Sequence, residues 1–186
     1  MQFGKTIMTG LASAVGAIGL LAGEAAFQDD FSTPSQWSFW SWQGKNEKSG
    51  GIGSAEAPDL KQTLAIAAVQ NGYAGWMSSE IDYDKKGSVA VKLKFKVSSD
   101  YAGNVPRVFV TWFQGKKHLK ANFLSLTSAQ LDSARKDWTE VTLQVPADDG
   151  APAGADSIRL NLASAAKGGG KPAGFVYFSS ASVEIQ

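Results

Sequence analysis

The stretch SVAVKLKFKV, residues 88–97, places Val89, Val91, Leu93, Phe95 and Val97 at every second position, with Lys92, Lys94 and Lys96 between them. Side chains of an extended strand alternate between its two faces, so this segment predicts a strand with one dry face and one wet face. The pattern recurs. In RVFVTWF, Val108, Val110 and Trp112 oppose Arg107, Phe109, Thr111 and Phe113. In WTEVTLQV, Val141, Leu143 and Val145 oppose Glu140, Thr142 and Gln144. In SIRLNLA, Ile158, Leu160 and Leu162 oppose Arg159, Asn161 and Ala163. TLAIAAV at 63–69 and FVYFSSASVEI at 175–185 extend the series.

Turn chemistry separates these runs. KNEKSGGIGSAEAPD (45–59), DYDKKG (82–87), SSDYAGNVP (98–106), PADDGAPAGAD (146–156) and AAKGGGKPAG (165–174) are rich in Gly, Pro, Asp, Asn and Ser. Only SLTSAQLDSAR (125–135) carries a helical signal, one or two turns with Ser128 as its cap. There is no repeat of fixed period. About eight strands with long turns and little helix predict an all-β fold, an antiparallel β-sandwich of jelly-roll type.

The 186 residues suit one domain, preceded by a segment of different character. Lys5 provides a positive start, TIMTGLASAVGAIGLLAG (6–23) is uncharged, and Gly23 and Ala25 sit at −3 and −1 of a cleavage after Ala25. That is the pattern of a secretory signal peptide over 1–25, with a mature domain over 26–186. The competing expectation is an uncleaved anchor, because 18 residues approach the length of a membrane span. Cleavage implies a protein that is secreted, periplasmic or held at the cell surface, with no integral membrane segment. The formal net charge of +1 provides no strong field toward nucleic acid or an anionic membrane. Without cysteine there is no disulfide framework and no thiolate metal site.

WSFWSW at 37–42 departs from the one-dry-face rule. Unbroken alternation sets Trp37 and Phe39 on one face and Trp40 and Trp42 on the other. One pair can enter the core; the other is covered by a loop or forms an outer aromatic surface, which usually marks a binding site. Flat rings suit the C–H face of a sugar, and polar neighbours bind its hydroxyls. The outward residues Arg107, Thr111, Arg159 and Asn161 supply such neighbours. A bulge near Ser38–Trp40 would undo this argument.

Other motifs carry less. GGGK at 168–171 lacks the Ser or Thr and the following helix of a phosphate loop, and reads as a hairpin. His118, the only histidine, lies in QGKKHLKAN beside Lys116, Lys117 and Lys120. It reads as a solvated basic loop, with an acidic-polysaccharide site or a lyase base as the sharper alternative. Asp29, Asp30, Glu80, Asp82 and Glu140 show no spacing that pairs two carboxylates for glycoside hydrolysis. Asp29 and Asp30 are candidate ligands for a structural calcium, set against an exposed acidic turn.

The succession DDFS…W, GYAGWMSSEI (72–81), RVFVTWFQG (107–115), DWTEVTLQVPADDGAPAGADSIRLNL (137–162) and GFVYFSSASVEI (174–185) resembles the jelly-roll carbohydrate-binding modules. The similarity is to the modules related to families 4, 9, 16 and 22, in the galactose-binding-like superfamily, and covers nearly all of 27–186. It implies two packed sheets, sugar bound on a sheet face or at loop tips, and often a structural calcium. The family's last strand carries an aspartate after its aromatic residue, whereas here Ser179 and Ser180 follow Phe178, which leaves Glu184 as the remaining partner for Asp29 and Asp30. The expected function is secreted, non-catalytic polysaccharide binding, with Trp40 and Trp42 as the stacking platform and Arg107, Thr111, Arg159 and Asn161 as polar contacts. The alternatives are a small polysaccharide lyase or glycoside hydrolase gathering His118, Lys116 or Tyr101, or two carboxylates, and a cell-surface structural protein.

Overall fold

The computed structural model describes residues 25–31, 36–42, 50–52, 63–67, 73–84, 87–165 and 174–186. The signal-peptide expectation over 1–25 and the GGGK hairpin therefore lie outside the described residues, apart from Ala25. The chain forms β1 (Ala25–Asp29), β2 (Trp37–Trp42), β3 (Gly50–Ile52), β4 (Leu64–Ala67), β5 (Tyr73–Ser78), β6 (Ile81–Asp82), β7 (Val89–Val97), β8 (Arg107–Gln114), β9 (Lys117–Ser125), α1 (Ser128–Ala134), β10 (Thr139–Gln144), β11 (Ser157–Ala165) and β12 (Phe175–Ile185). A short 3-10 turn spans Ala147–Asp149.

Two six-stranded antiparallel sheets result. Sheet A runs β10-β7-β12-β4-β3 and sheet B runs β2-β5-β11-β8-β9. Each has a long central strand with one edge shared by two shorter strands. In sheet A, β4 pairs with Phe175–Phe178 and β1 with the segment Ala181–Glu184 of β12. In sheet B, β5 pairs with Asn161–Ala165 and β6 with Ser157 and Ile158 of β11. The break between β5 and β6 leaves the Leu160 amide without a ladder partner, and it donates to the Ser78 hydroxyl at 3.0 Å.

The alternating residues meet in the middle, as aligned sheet packing requires. Val91, Phe95, Val176, Phe178 and Val183 of sheet A face Val108, Val110, Trp112, Leu160 and Leu162 of sheet B, and all are buried. The antiparallel β-sandwich read from the sequence is the fold. Among the described residues no helix is long and apolar enough to cross a membrane.

Two local expectations change. The cap of α1 is Thr127, not Ser128: the Thr127 hydroxyl accepts from the Gln130 amide and the Gln130 side chain accepts from the Thr127 amide, a reciprocal capping box. QGKKHLKAN is not a loop. Only Gly115 and Lys116 turn, with Gly115 at φ +53°, and from Lys117 the chain continues as β9.

Candidate functional site

Strand β2 decides how the aromatic run is divided. Its register with β5 is continuous from Trp37 opposite Ser78 to Trp42 opposite Tyr73, without a bulge. Trp37 and Phe39 point inward. Trp37 is buried, and Phe39 meets Trp76 edge-on at 5.3 Å between ring centroids. Trp37 is also held by Asp29, whose Oδ2 accepts from Nε1 of Trp37 and whose Oδ1 accepts from the Phe31 amide, both at 2.7 Å. The second bond stabilises Phe31 at φ +60°, a conformation few non-glycine residues adopt. Phe31 and Phe27 then pack edge-on against Trp37, at 5.4 and 5.9 Å. The segment DDFS…W is thus a structural corner.

The other side of β2 belongs to the outer face of sheet B. Trp40 lies opposite Gly75, Gly75 opposite Ala163, and Ala163 opposite Arg107. This row crosses four strands and spans roughly 14 Å at the ordinary strand spacing. Its middle positions are small for a packing reason. A Cβ on Gly75 would lie 2.3 Å from the Leu162 carbonyl oxygen, so only glycine lets β5 approach β11 here. The next row sets Ser38, Met77, Asn161, Phe109 and Phe123 side by side, and the next brings Arg159 against Thr111 and Ala121.

This face gathers the described residues of the sequence-derived site. Asn161 Nδ2 donates to the Thr111 hydroxyl at 3.0 Å. Arg159 approaches Glu80 at 3.4 Å and lies over the Phe113 ring, 5.0 Å from its centroid. Trp40, Thr111 and Arg159 are half-buried, Arg107 is exposed and Asn161 is buried. Nε1 of Trp40 and Nε of Arg159 are buried without a hydrogen-bond partner among the described residues, and both belong to this face. The backbone of Trp42 continues the ladder, but its side chain lies outside the described residues.

Three rings on this face were not assigned to the site by the sequence. Phe109 and Phe123 meet edge-on at 4.8 Å, and Phe113 meets His118 edge-on at 5.8 Å. Phe123 is 64% exposed. Phe109 and Phe113 already stood opposite the dry face of their strand, so alternation would have found them. Phe123 directly follows QGKKHLKAN and has no apolar alternation around it to mark its face.

Of the residues of the enzyme alternative, His118 and Tyr101 lie apart. His118 is exposed opposite Phe113, at the hairpin end of sheet B. Tyr101 is buried near Ser164, its hydroxyl donating to the Asn104 carbonyl at 2.6 Å and lying 3.0 Å from the Ser164 hydroxyl. Ser164 and Ser157, the latter opposite Phe113, are separated by roughly 23 Å of strand. Burial pushes the Tyr101 hydroxyl above the ordinary phenol range, opposed by the Ser164 contact and the Arg135 charge.

The candidate calcium ligands also separate. Asp29 points into the sandwich opposite Ala181, with both oxygens accepting N–H groups. Glu184 points out of sheet A and accepts from Lys92 at 2.6 Å. Asp30 is exposed. Among the described residues no three His, Asp or Glu side chains gather in a group able to hold a metal ion.

No protein-family model matches the chain, and no curated protein matches it by sequence. Solved structures match it by shape. The CBM22-1 xylan-binding domain from Paenibacillus barcinonensis Xyn10C superposes with a TM-score of 0.57 at 13% identity, covering 88% of this chain and 96% of that one. The xylan-binding module CBM15 gives 0.50 at 14% identity, covering 86% and 95%. The enzymatically active domain of Bacteriophage CBA120 tailspike protein 4 gives 0.55 at 10% identity; 84% of this chain is covered but only 20% of the phage chain. The chain thus has the jelly-roll β-sandwich of the carbohydrate-binding modules, a fold it also shares with part of a much longer phage protein.

Proposed function

We propose that the chain is an exported polysaccharide-binding protein whose site is the outer face of sheet B. The observation that carries this reading is the continuous register that sets Trp40, Arg107, Thr111, Arg159 and Asn161 on one face of four adjacent strands. An aromatic ring flanked by hydroxyl, amide and guanidinium groups is what a sugar chain needs for stacking and hydroxyl contacts. The orphaned donors of Trp40 and Arg159 support the assignment. An unpaired buried donor costs about 1–3 kcal/mol, and a ligand oxygen would relieve that cost. The xylan-binding neighbours share the fold and support the ligand class. Export rests on the pattern of residues 1–25.

The test is retention of the purified protein by a panel of insoluble and soluble polysaccharides, with tryptophan fluorescence read alongside. The expected result is binding that Trp40→Ala weakens about tenfold, or ~1.4 kcal/mol, with an unchanged melting temperature. New reducing or unsaturated ends in the incubated polysaccharides would instead support a lyase or glycosidase. Retention that Trp40→Ala leaves unchanged would remove this face as the site.

A further inference from the structure

We propose that the ligand is an anionic polysaccharide, carrying carboxylate or sulfate groups, laid along the β8–β9 hairpin. This rests on the outer face of sheet B being the binding site and names its substrate class. Residues 101–131 contain no aspartate or glutamate, but they include Arg107, Lys116, Lys117, His118 and Lys120. The hairpin that edges sheet B therefore carries no acid of its own, and the one carboxylate at its turn, Asp156, accepts from the Gly115 amide at 2.9 and 3.0 Å. Lys120 is already neutralised, because its ammonium is bonded to the Asp149 carboxylate. Lys116, Lys117 and His118 are exposed, and no ion pair engages any of the three among the described residues. Two of the three lysines of β7 behave differently: Lys92 pairs with Glu184 at 2.6 Å and Lys94 with Glu140 at 3.3 Å.

The basic groups and the rings interleave along the hairpin. Arg107 comes first, then the Phe109–Phe123 pair, then Arg159 beside Thr111, then Phe113 with His118, and finally Lys116 and Lys117 at the turn. Successive rows on one face are about 7 Å apart, so Arg107 to Phe113 spans roughly 20 Å. A flexible acidic polymer following the strands would meet a cation near each end, with rings between and Arg159, paired with Glu80 at 3.4 Å, in the middle. Single-stranded nucleic acid would need a series of open ring faces for its bases. Here only Phe123 is exposed, while Phe109 and Phe113 are half-buried and Phe113 lies under the Arg159 guanidinium. Sugars with charged substituents fit that surface better than stacked bases.

The experiment measures affinity for polygalacturonate and alginate, for dextran sulfate, and for neutral xylan, β-glucan and dextran, at low and high salt. A poly(dT) competitor and a Lys116→Gln/Lys117→Gln variant complete the set. Lys116 is exposed in the turn and Lys117 is exposed at the first position of β9, so the variant is expected to fold. The inference expects at least about tenfold tighter binding to an acidic polymer than to its neutral counterparts. That binding should weaken as salt rises, and the double variant should lose about fivefold while neutral-polymer retention stays the same. Preference for polygalacturonate or for dextran sulfate identifies the charged group. Equal binding to neutral polymers, insensitive to salt and to the double variant, overturns this inference and leaves the sheet B face standing as a glycan site. Retention of neither class overturns both. Competition by poly(dT) as effective as by acidic glycan, at equal charge, overturns it in favour of an undiscriminating polyanion surface.

Discussion

The two outer faces of the sandwich are built on similar inner faces yet carry different chemistry. Sheet A presents Lys96 and, around a groove of about 290 Å³, Lys92 and Lys94 on β7, Ser180 and Ser182 on β12, and Glu140 and Thr142 on β10. Two of its lysines are paired with glutamates, as a solvated surface needs. Sheet B presents Trp40, Phe109, Phe113 and Phe123 among arginines, an asparagine and a threonine. The core does not require those rings, because the inward residues of both sheets already fill it. Sheet A carries the mixed charges of a solvated surface, and sheet B departs from that pattern on the face proposed as the binding site.

The sharpest way to break the comparison lies within β2 itself. Trp37→Ala removes a buried ring with two edge-on partners and strands the Asp29 carboxylate, so it should destabilise by about 3–5 kcal/mol in thermal or urea unfolding. Trp40→Ala, one face over, should stay within roughly 1 kcal/mol of wild type. Equal losses would mean that the outer face of sheet B is a second core, covered by other parts of the chain.

That contrast also marks how far the sequence could be read. Strands β7, β8, β10 and β11 were legible because each repeats large apolar residues at every second position, as β12 does on either side of its bulge at Phe178 and Ser180, and the outward set Arg107, Thr111, Arg159 and Asn161 follows from the same counting. Strand β9 was not legible because two of its three inward positions, Lys120 and Asn122, are polar, and only Leu124 is apolar. Asn122 points in, accepts from Nε1 of Trp112 at 2.6 Å and donates to Asp149 at 2.7 Å, while Phe123 points out. Polarity is inverted at Asn122 and Phe123, so the alternation that marks the other strands is missing here. The role of Asp29 was invisible for another reason: its partners, an indole and the amide of a left-handed Phe31, are chosen by the fold and leave no spacing signature.

A smaller effect is expected where a side chain is added to each face. Gly75→Val sets a Cβ against the Leu162 carbonyl and forces β5 away from β11, which should cost about 1–3 kcal/mol, as overpacking does. The same change would disturb Trp40 opposite it and weaken glycan retention. Ser182→Val, half-buried on the outer face of sheet A, should alter stability by about 0.5 kcal/mol or less. If both substitutions are tolerated alike, the close approach at Gly75 is not a constraint of the sheet B face.

Alkali tests what both faces enclose. The Tyr101 hydroxyl is held neutral by burial, so its folded form keeps the proton at a pH where the unfolded chain, with an ordinary phenol near pH ~10, has lost it. The unfolded state then binds fewer protons, and stability falls as pH rises past that point. Below it the contribution is fully present. Tyr101→Phe should flatten the alkaline limb of a denaturation series while costing about 1 kcal/mol at neutral pH through the lost bond to the Asn104 carbonyl. An unchanged limb would move the alkaline response to other groups.

The smallest expected effect belongs to the surface pair Lys94–Glu140. Both side chains are well exposed, at 42% and 76%, and separated by 3.3 Å, so solvent and salt screen most of the attraction. Lys94→Ala should change stability by less than about 0.5 kcal/mol and leave polysaccharide retention unaltered, since Lys94 and the site lie on opposite outer faces of the sandwich. Thermal melts and retention on the same polymer panel measure both quantities at once. A loss of retention in Lys94→Ala with an intact fold would shift the binding surface to sheet A, making its lysines and hydroxyls the site and the rings of sheet B a covered seam.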